Sequence, residues 1–72
     1  MKNYNIGIIG CGSIAAKMAA TLGGMKGVKR YAVASRTVEK AKAFAEKWQF
    51  TKAYGSYEEL ASDAEVDLIY IA

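Results

Sequence analysis

The chain has no histidine, no proline and a single cysteine among its 72 residues. Each absence removes a class of chemistry. Without histidine, Cys11 has no imidazole to take its proton, so a Cys–His nucleophile is excluded. One cysteine makes no internal disulfide, which fits a reducing compartment, and a cytoplasmic location is expected. Without proline there is no proline-rich linker. No apolar run reaches bilayer-spanning length, and the start of the chain reads as a strand rather than a signal peptide. Charge is low too: the net value is +3, and the lysines and arginines are scattered. That balance gives no nucleic-acid surface, so neither nucleic acid nor membrane is expected as a partner.

What is present is globular. The chain is 53% hydrophobic and 24% charged, without repeats or low-complexity tracts. Its length is about half that of a usual nucleotide-binding domain, so residues 1–72 are read as one unit.

That unit is organised around Asn5-Ile6-Gly7-Ile8-Ile9-Gly10-Cys11-Gly12-Ser13-Ile14-Ala15. An apolar run enters a glycine-spaced turn, and the turn opens a helical segment, in the pattern G-x-G-x-x-A of a dinucleotide-binding unit. Gly10 lets the chain reverse at the strand's end. Gly12 leaves no side chain between backbone and pyrophosphate. Ala15 is small enough for close packing of helix on strand. Free amides at the helix start, at its positive dipole end, are suited to phosphates. Glycines at this spacing also occur in ordinary turns, so a βα unit that binds nothing stays open. Cys11 is a small filler within the turn.

The rest of the chain follows a βα rhythm. Residues 5–10 read as an apolar central strand, in which Gly7 suggests the close approach of another backbone or helix. A helix over 13–22 carries Ile14, Met18 and Leu22 on a sheet-facing stripe with Ala15 and Ala19. Residues 28–35 form the second strand. A helix from Thr37, its expected cap, to Trp48 turns Val38, Ala41, Ala45 and Trp48 inward with Phe44. Residues 50–54 form a short extended piece. Ser56-Tyr57-Glu58-Glu59 is a capping box that starts a short helix and explains both glutamates structurally. Residues 67–72 read as the third strand. Right-handed crossovers then give a parallel α/β sheet in the order 3-2-1, half of a Rossmann-type domain.

Cofactor choice turns on the end of the second strand. A carboxylate there accepts hydrogen bonds from ribose hydroxyls and indicates NAD. Here the tip is Ser35-Arg36-Thr37, with Lys40 one helical turn on. Two cations and two hydroxyls suit a 2′-phosphate, which favours NADP over NAD. The same lack of a carboxylate counts against a methyltransferase-like adenosine binder.

Several blocks in register resemble one family. They are residues 6–15, Ala32-Val33-Ala34-Ser35-Arg36, Ala41-Lys42-Ala43-Phe44-Ala45, Tyr54-Gly55-Ser56-Tyr57-Glu58-Glu59-Leu60 and Asp67-Leu68-Ile69-Tyr70-Ile71-Ala72. Together they are similar to the N-terminal part of the glucose–fructose oxidoreductase/inositol dehydrogenase (Gfo/Idh/MocA) family, in particular its NADP-dependent dihydrodiol and sugar dehydrogenases. The resemblance implies hydride transfer between NADP and a sugar, cyclitol or dihydrodiol hydroxyl. It implies that Gly10, Gly12, Ser13 and Ile14 form the phosphate-binding turn, and Cys11, lying inside that turn, is counted with them as cofactor-binding. It further implies that Ser35, Arg36 and Lys40 meet the 2′-phosphate, where the tip's own chemistry adds the Thr37 hydroxyl, and that Ala72 begins a loop that passes the cofactor.

The family's Glu-Lys-Pro segment, with its catalytic lysine, and its substrate domain have no counterpart in residues 1–72. No catalytic residue and no metal ligand is therefore assigned. The chain is expected to be a fragment of such an enzyme, or else a non-catalytic half-domain. In the second case the first strand is an unpaired apolar edge, and self-association as a homo-oligomer through it is expected.

Overall fold

The computed structural model describes residues 3–72. The chain alternates strand and helix: β1 (Tyr4–Ile9), α1 (Ser13–Gly23), β2 (Val28–Ala34), α2 (Val38–Trp48), β3 (Lys52–Tyr54), α3 (Tyr57–Ala61) and β4 (Leu68–Ile71). All neighbouring strands are parallel, in the order β3-β2-β1-β4. This is the Rossmann-type half-sheet expected from the sequence, with one strand more.

The extra strand corrects one expectation. The order 3-2-1 holds, but the third place is taken by the short segment Lys52–Tyr54 beside β2. The strand read at 67–72 lies on the other side of the sheet, where Leu68–Ile71 pair with Ile6–Ile9. β1 is therefore central, and self-association through a bare β1 edge loses its physical basis. The sheet's edges are β3 and β4, and of β4 Leu68 and Ile71 are 52% and 81% exposed.

The core lies on two faces. On one, Ile6, Ile8 and Val33 meet Ala15, Ala19 and Leu22 of α1 and Phe44 and Ala45 of α2. Ala15 and Ala19 are fully buried, so α1 sits close to the strands, as small residues permit. Ile14 departs from the expected stripe. It is 63% exposed, and with Met18 it borders a groove toward Tyr70. Val38 is also half-exposed, and Phe44 takes the buried place. On the other face, Leu60 of α3 packs on Tyr31, Ala32 and Ala34. Gly7 faces it, for a Cβ there would meet Leu60 at 3.1 Å and Val66 at 3.3 Å. The approach inferred at Gly7 is thus that of α3 and the segment after it.

β1 and β2 slip register once, because Ile6 pairs with Arg30 and Gly7 with Ala32. Tyr31 is the extra residue, and such a bulge re-aims a side chain. It places Tyr31 on the α3 face beside Ala32. Arg30 instead reaches α1, where its Nη1 donates to the Ala19 carbonyl at 3.4 Å.

Candidate functional site

The carboxyl ends of the four strands are joined by main-chain hydrogen bonds that run one step past the strands themselves. Gly10 N donates to Ala34 O at 2.9 Å, Ser35 N to Tyr54 O at 3.2 Å, and Ala72 N to Ile9 O at 2.9 Å. These bonds hold the segments after β1, β2, β3 and β4 along one edge. In parallel α/β sheets that edge is where ligands bind.

At its centre is the turn between β1 and α1. Gly10 has φ +114°, a conformation open to glycine and costly for other residues. Gly12 is different. Its φ is −83°, and a Cβ there would meet nothing within 4 Å. Gly12 is also the N-cap of α1, and its missing side chain makes no cap. The first amides of a helix have no acceptor within it. The first turn of α1 carries no acidic residue either. The turn therefore offers amide donors and positive dipole beside open space.

Beside it lies a cavity of about 330 Å³, lined by Gly10, Cys11, Gly12, Ser35, Arg36, Thr37, Lys40 and Tyr57. Seven of the ten residues picked out by sequence reasoning are thus brought together. No carboxylate lines this cavity, and Glu39 of α2 is exposed outside it. Thr37 stands at the N-cap of α2 but its side chain makes no cap bond, contrary to the expected capping, and it borders the cavity instead. Ser35 is the one buried polar residue among those described, at 8% exposure.

The other three residues lie outside this cavity. Ser13 borders a neighbouring groove with Cys11, Gly12 and Lys40. Ala72 presses on the turn, its carbonyl oxygen 2.9 Å from where a Gly10 Cβ would stand. The Ile14 side chain lies apart, in the groove with Met18 and Tyr70, so only its main chain belongs to the turn.

Cys11 carries no sign of activation. Its thiol approaches the Lys40 carbonyl at 3.9 Å. Burial pushes its pKa up, against smaller opposing effects of a Ser35 hydrogen bond and the Lys40 charge. The protonated thiol is a poor nucleophile.

One group of residues escapes sequence reasoning. A second, open cavity of about 270 Å³ adjoins the first at Ser35, Arg36 and Tyr57 and is lined further by Gly55, Ser56 and Glu58. The signal for it is the capping box. Ser56 Oγ accepts from Glu59 N at 3.3 Å and donates to Glu59 Oε1 at 3.0 Å. A helix starting there, after a strand in the sheet, must begin at the carboxyl edge.

A family model described as "Oxidoreductase family, NAD-binding Rossmann fold" matches residues 4–72. The chain belongs to the Gfo/Idh/MocA family. Among curated relatives, trans-1,2-dihydrobenzene-1,2-diol dehydrogenase of Xenopus tropicalis is 43% identical over 67 residues, which are 90% of this chain and 20% of that protein. The Homo sapiens enzyme of the same name is also 43% identical, with the same shares covered. The chain thus spans about a fifth of the length of these Gfo/Idh/MocA relatives.

Solved structures agree in fold. A levoglucosan dehydrogenase in complex with NADH and L-sorbose superposes with TM-score 0.95 at 21% identity, covering 100% of this chain and 21% of that one. A 3-ketoreductase from Actinomadura kijaniata in complex with NADP superposes with TM-score 0.89 at 28% identity, covering 96% of this chain and 22% of that one. Among the described residues of this family member, no helix is long and apolar enough to cross a membrane.

Proposed function

We propose that the chain is the NADP-binding part of an oxidoreductase that moves a hydride between a nicotinamide cofactor and a sugar, cyclitol or dihydrodiol hydroxyl. Gly12 carries this reading. Its φ suits any residue and a Cβ there meets nothing, so nothing within the chain requires glycine. A ligand whose phosphates approach the main chain does require it.

The surrounding residues fit the same ligand. The Ser13, Ile14 and Ala15 amides would hold the pyrophosphate, as unpaired donors at a helix start. Arg36 and Lys40, with the Ser35 and Thr37 hydroxyls, would hold a 2′-phosphate, for which a fork of charged donors is well matched. A cavity free of carboxylates adds no repulsion. Ala72, seated on Gly10, lies along the cofactor's path. When NADP is bound, its nicotinamide supplies the hydride chemistry. This chain's residues bind and orient, and we assign none of them to proton transfer. The relatives' names support the substrate class, and the cytoplasm is the compartment we propose. The NADH and NADP of the two solved complexes support a nicotinamide dinucleotide, while the choice of NADP rests on Arg36 and Lys40.

Calorimetric titration with NADPH and NADH tests this. The expected result is tighter NADPH binding, with the preference abolished in Arg36→Ala. Equal or tighter NADH binding by the unaltered chain would overturn the cofactor assignment, and no binding of either would overturn the whole reading.

A further inference from the structure

We propose that Tyr57 supplies the stacking face for the adenine of the bound dinucleotide, beside the Arg36 that meets its 2′-phosphate. The proposal rests on the dinucleotide reading above and adds a cofactor-positioning residue to it. Tyr57 lines both cavities at the carboxyl edge, and among the residues lining them it is the one aromatic. It shares both cavities with Arg36 and Ser35. At 43% exposure its ring is open to a ligand. Phe44 and Trp48 line the separate groove on the α1–α2 side, beside Gly12 and Lys40. Phe50 packs against Phe44 in the core, so none of the three borders the cavities that hold Arg36 and Ser35.

The ring stands on a fixed base. Tyr57 opens α3, whose start is held by the Ser56–Glu59 pair. Just before it, a Cβ on Gly55 would come within 3.2 Å of Val38 Cβ, so this segment is seated against the start of α2. Tyr54 O accepts from Ser35 N, and the Tyr54 hydroxyl donates to Asp63 Oδ2 at 2.5 Å. The segment is thus tied to β2 on one side and to the end of α3 on the other. A flat apolar face held in place beside a phosphate-binding cation is what a purine base with a phosphorylated ribose needs, because bases stack on aromatic rings whatever their edge pattern.

The test uses the 72-residue chain, Tyr57→Phe and Tyr57→Ala. NADPH affinity is measured by calorimetry, and 2′,5′-ADP is observed by proton NMR. The expected result is affinity about tenfold weaker in Tyr57→Ala and unchanged in Tyr57→Phe. The adenine protons of bound 2′,5′-ADP shift upfield from the ring current in the unaltered chain and in Tyr57→Phe, but not in Tyr57→Ala. A merely structural role for Tyr57 produces no such shift. Unchanged NADPH affinity in Tyr57→Ala, or no upfield shift in the unaltered chain, overturns the adenine assignment and leaves dinucleotide binding standing. Failure of the unaltered chain to bind either probe overturns both.

Discussion

Gly10 and Ala72 meet at the point where β1 gives way to the turn. A Cβ on Gly10 would stand 2.9 Å from the Ala72 carbonyl oxygen. Gly12, two residues on, faces open space. The two glycines of one motif therefore differ: the fold demands the first, and the second answers only to the ligand proposed above. Gly10→Ala is expected to lose about 2–3 kcal/mol of stability, from backbone strain and the clash. Gly12→Ala is expected to keep stability within about 0.5 kcal/mol while weakening NADPH about tenfold or more. Urea unfolding and calorimetry separate the two.

Arg36 is exposed and lines both cavities. In the role proposed for it, Arg36 makes charge-assisted bonds of about 1.5–3 kcal/mol to the 2′-phosphate, which are lost with its side chain. Arg36→Ala is expected to weaken NADPH about 10- to 100-fold and to leave NADH nearly unchanged, as read by competition between the two cofactors.

Leu60 is the fully buried side chain that α3 sends to the second face of the sheet. With one short helix on that face, little else can fill its space. Leu60→Ala is expected to cost about 2–5 kcal/mol. The measurement is the shift of the urea midpoint.

Asp63 gives the fold a pH dependence. Its carboxyl is held below the ordinary range, first by the Tyr54 hydroxyl and then by the Glu65 amide. The stability it contributes is present above the unfolded value of about 3.9 and is lost as pH falls through the lower folded value. The Tyr54 hydroxyl is pushed up, chiefly because it donates to Asp63. Its share is present below about pH 10 and is lost as pH rises through the higher folded value. Asp63→Asn is expected to flatten the acid limb of a stability-against-pH curve recorded by denaturant unfolding.

β4 leaves apolar side chains and one row of backbone groups facing outward in the 72-residue chain. Such an edge invites pairing with another strand. Ile71→Lys is expected to reduce concentration-dependent association in sedimentation without lowering the unfolding midpoint.

Much of this was readable in the chain. The G-x-G-x-x-A turn was legible because its residue types have one mechanical explanation each, and the Ser56 capping box because two side chains must agree at a fixed spacing. The side of the sheet taken by β4 was not, since Leu68-Ile69-Tyr70-Ile71 suits a place beside β1 or beyond β2 equally well. β3 has only three residues, one of them the exposed Lys52, too few for alternation to show. Without β3 in the sheet, Tyr57 has no reason to stand at the carboxyl edge. The Tyr31 bulge leaves no trace either, because an extra residue does not change which residue types occur.

Asn5 is joined to the chain 62 residues further on, its amide donating to Asp67 Oδ2 at 2.7 Å and its carbonyl accepting from Asp67 N at 2.8 Å. The middle strand of the sheet thus acquires its second neighbour last. During synthesis on the ribosome it must wait, half-dressed, until residues 67–71 emerge, and a contact so distant in sequence is of the kind that slows folding.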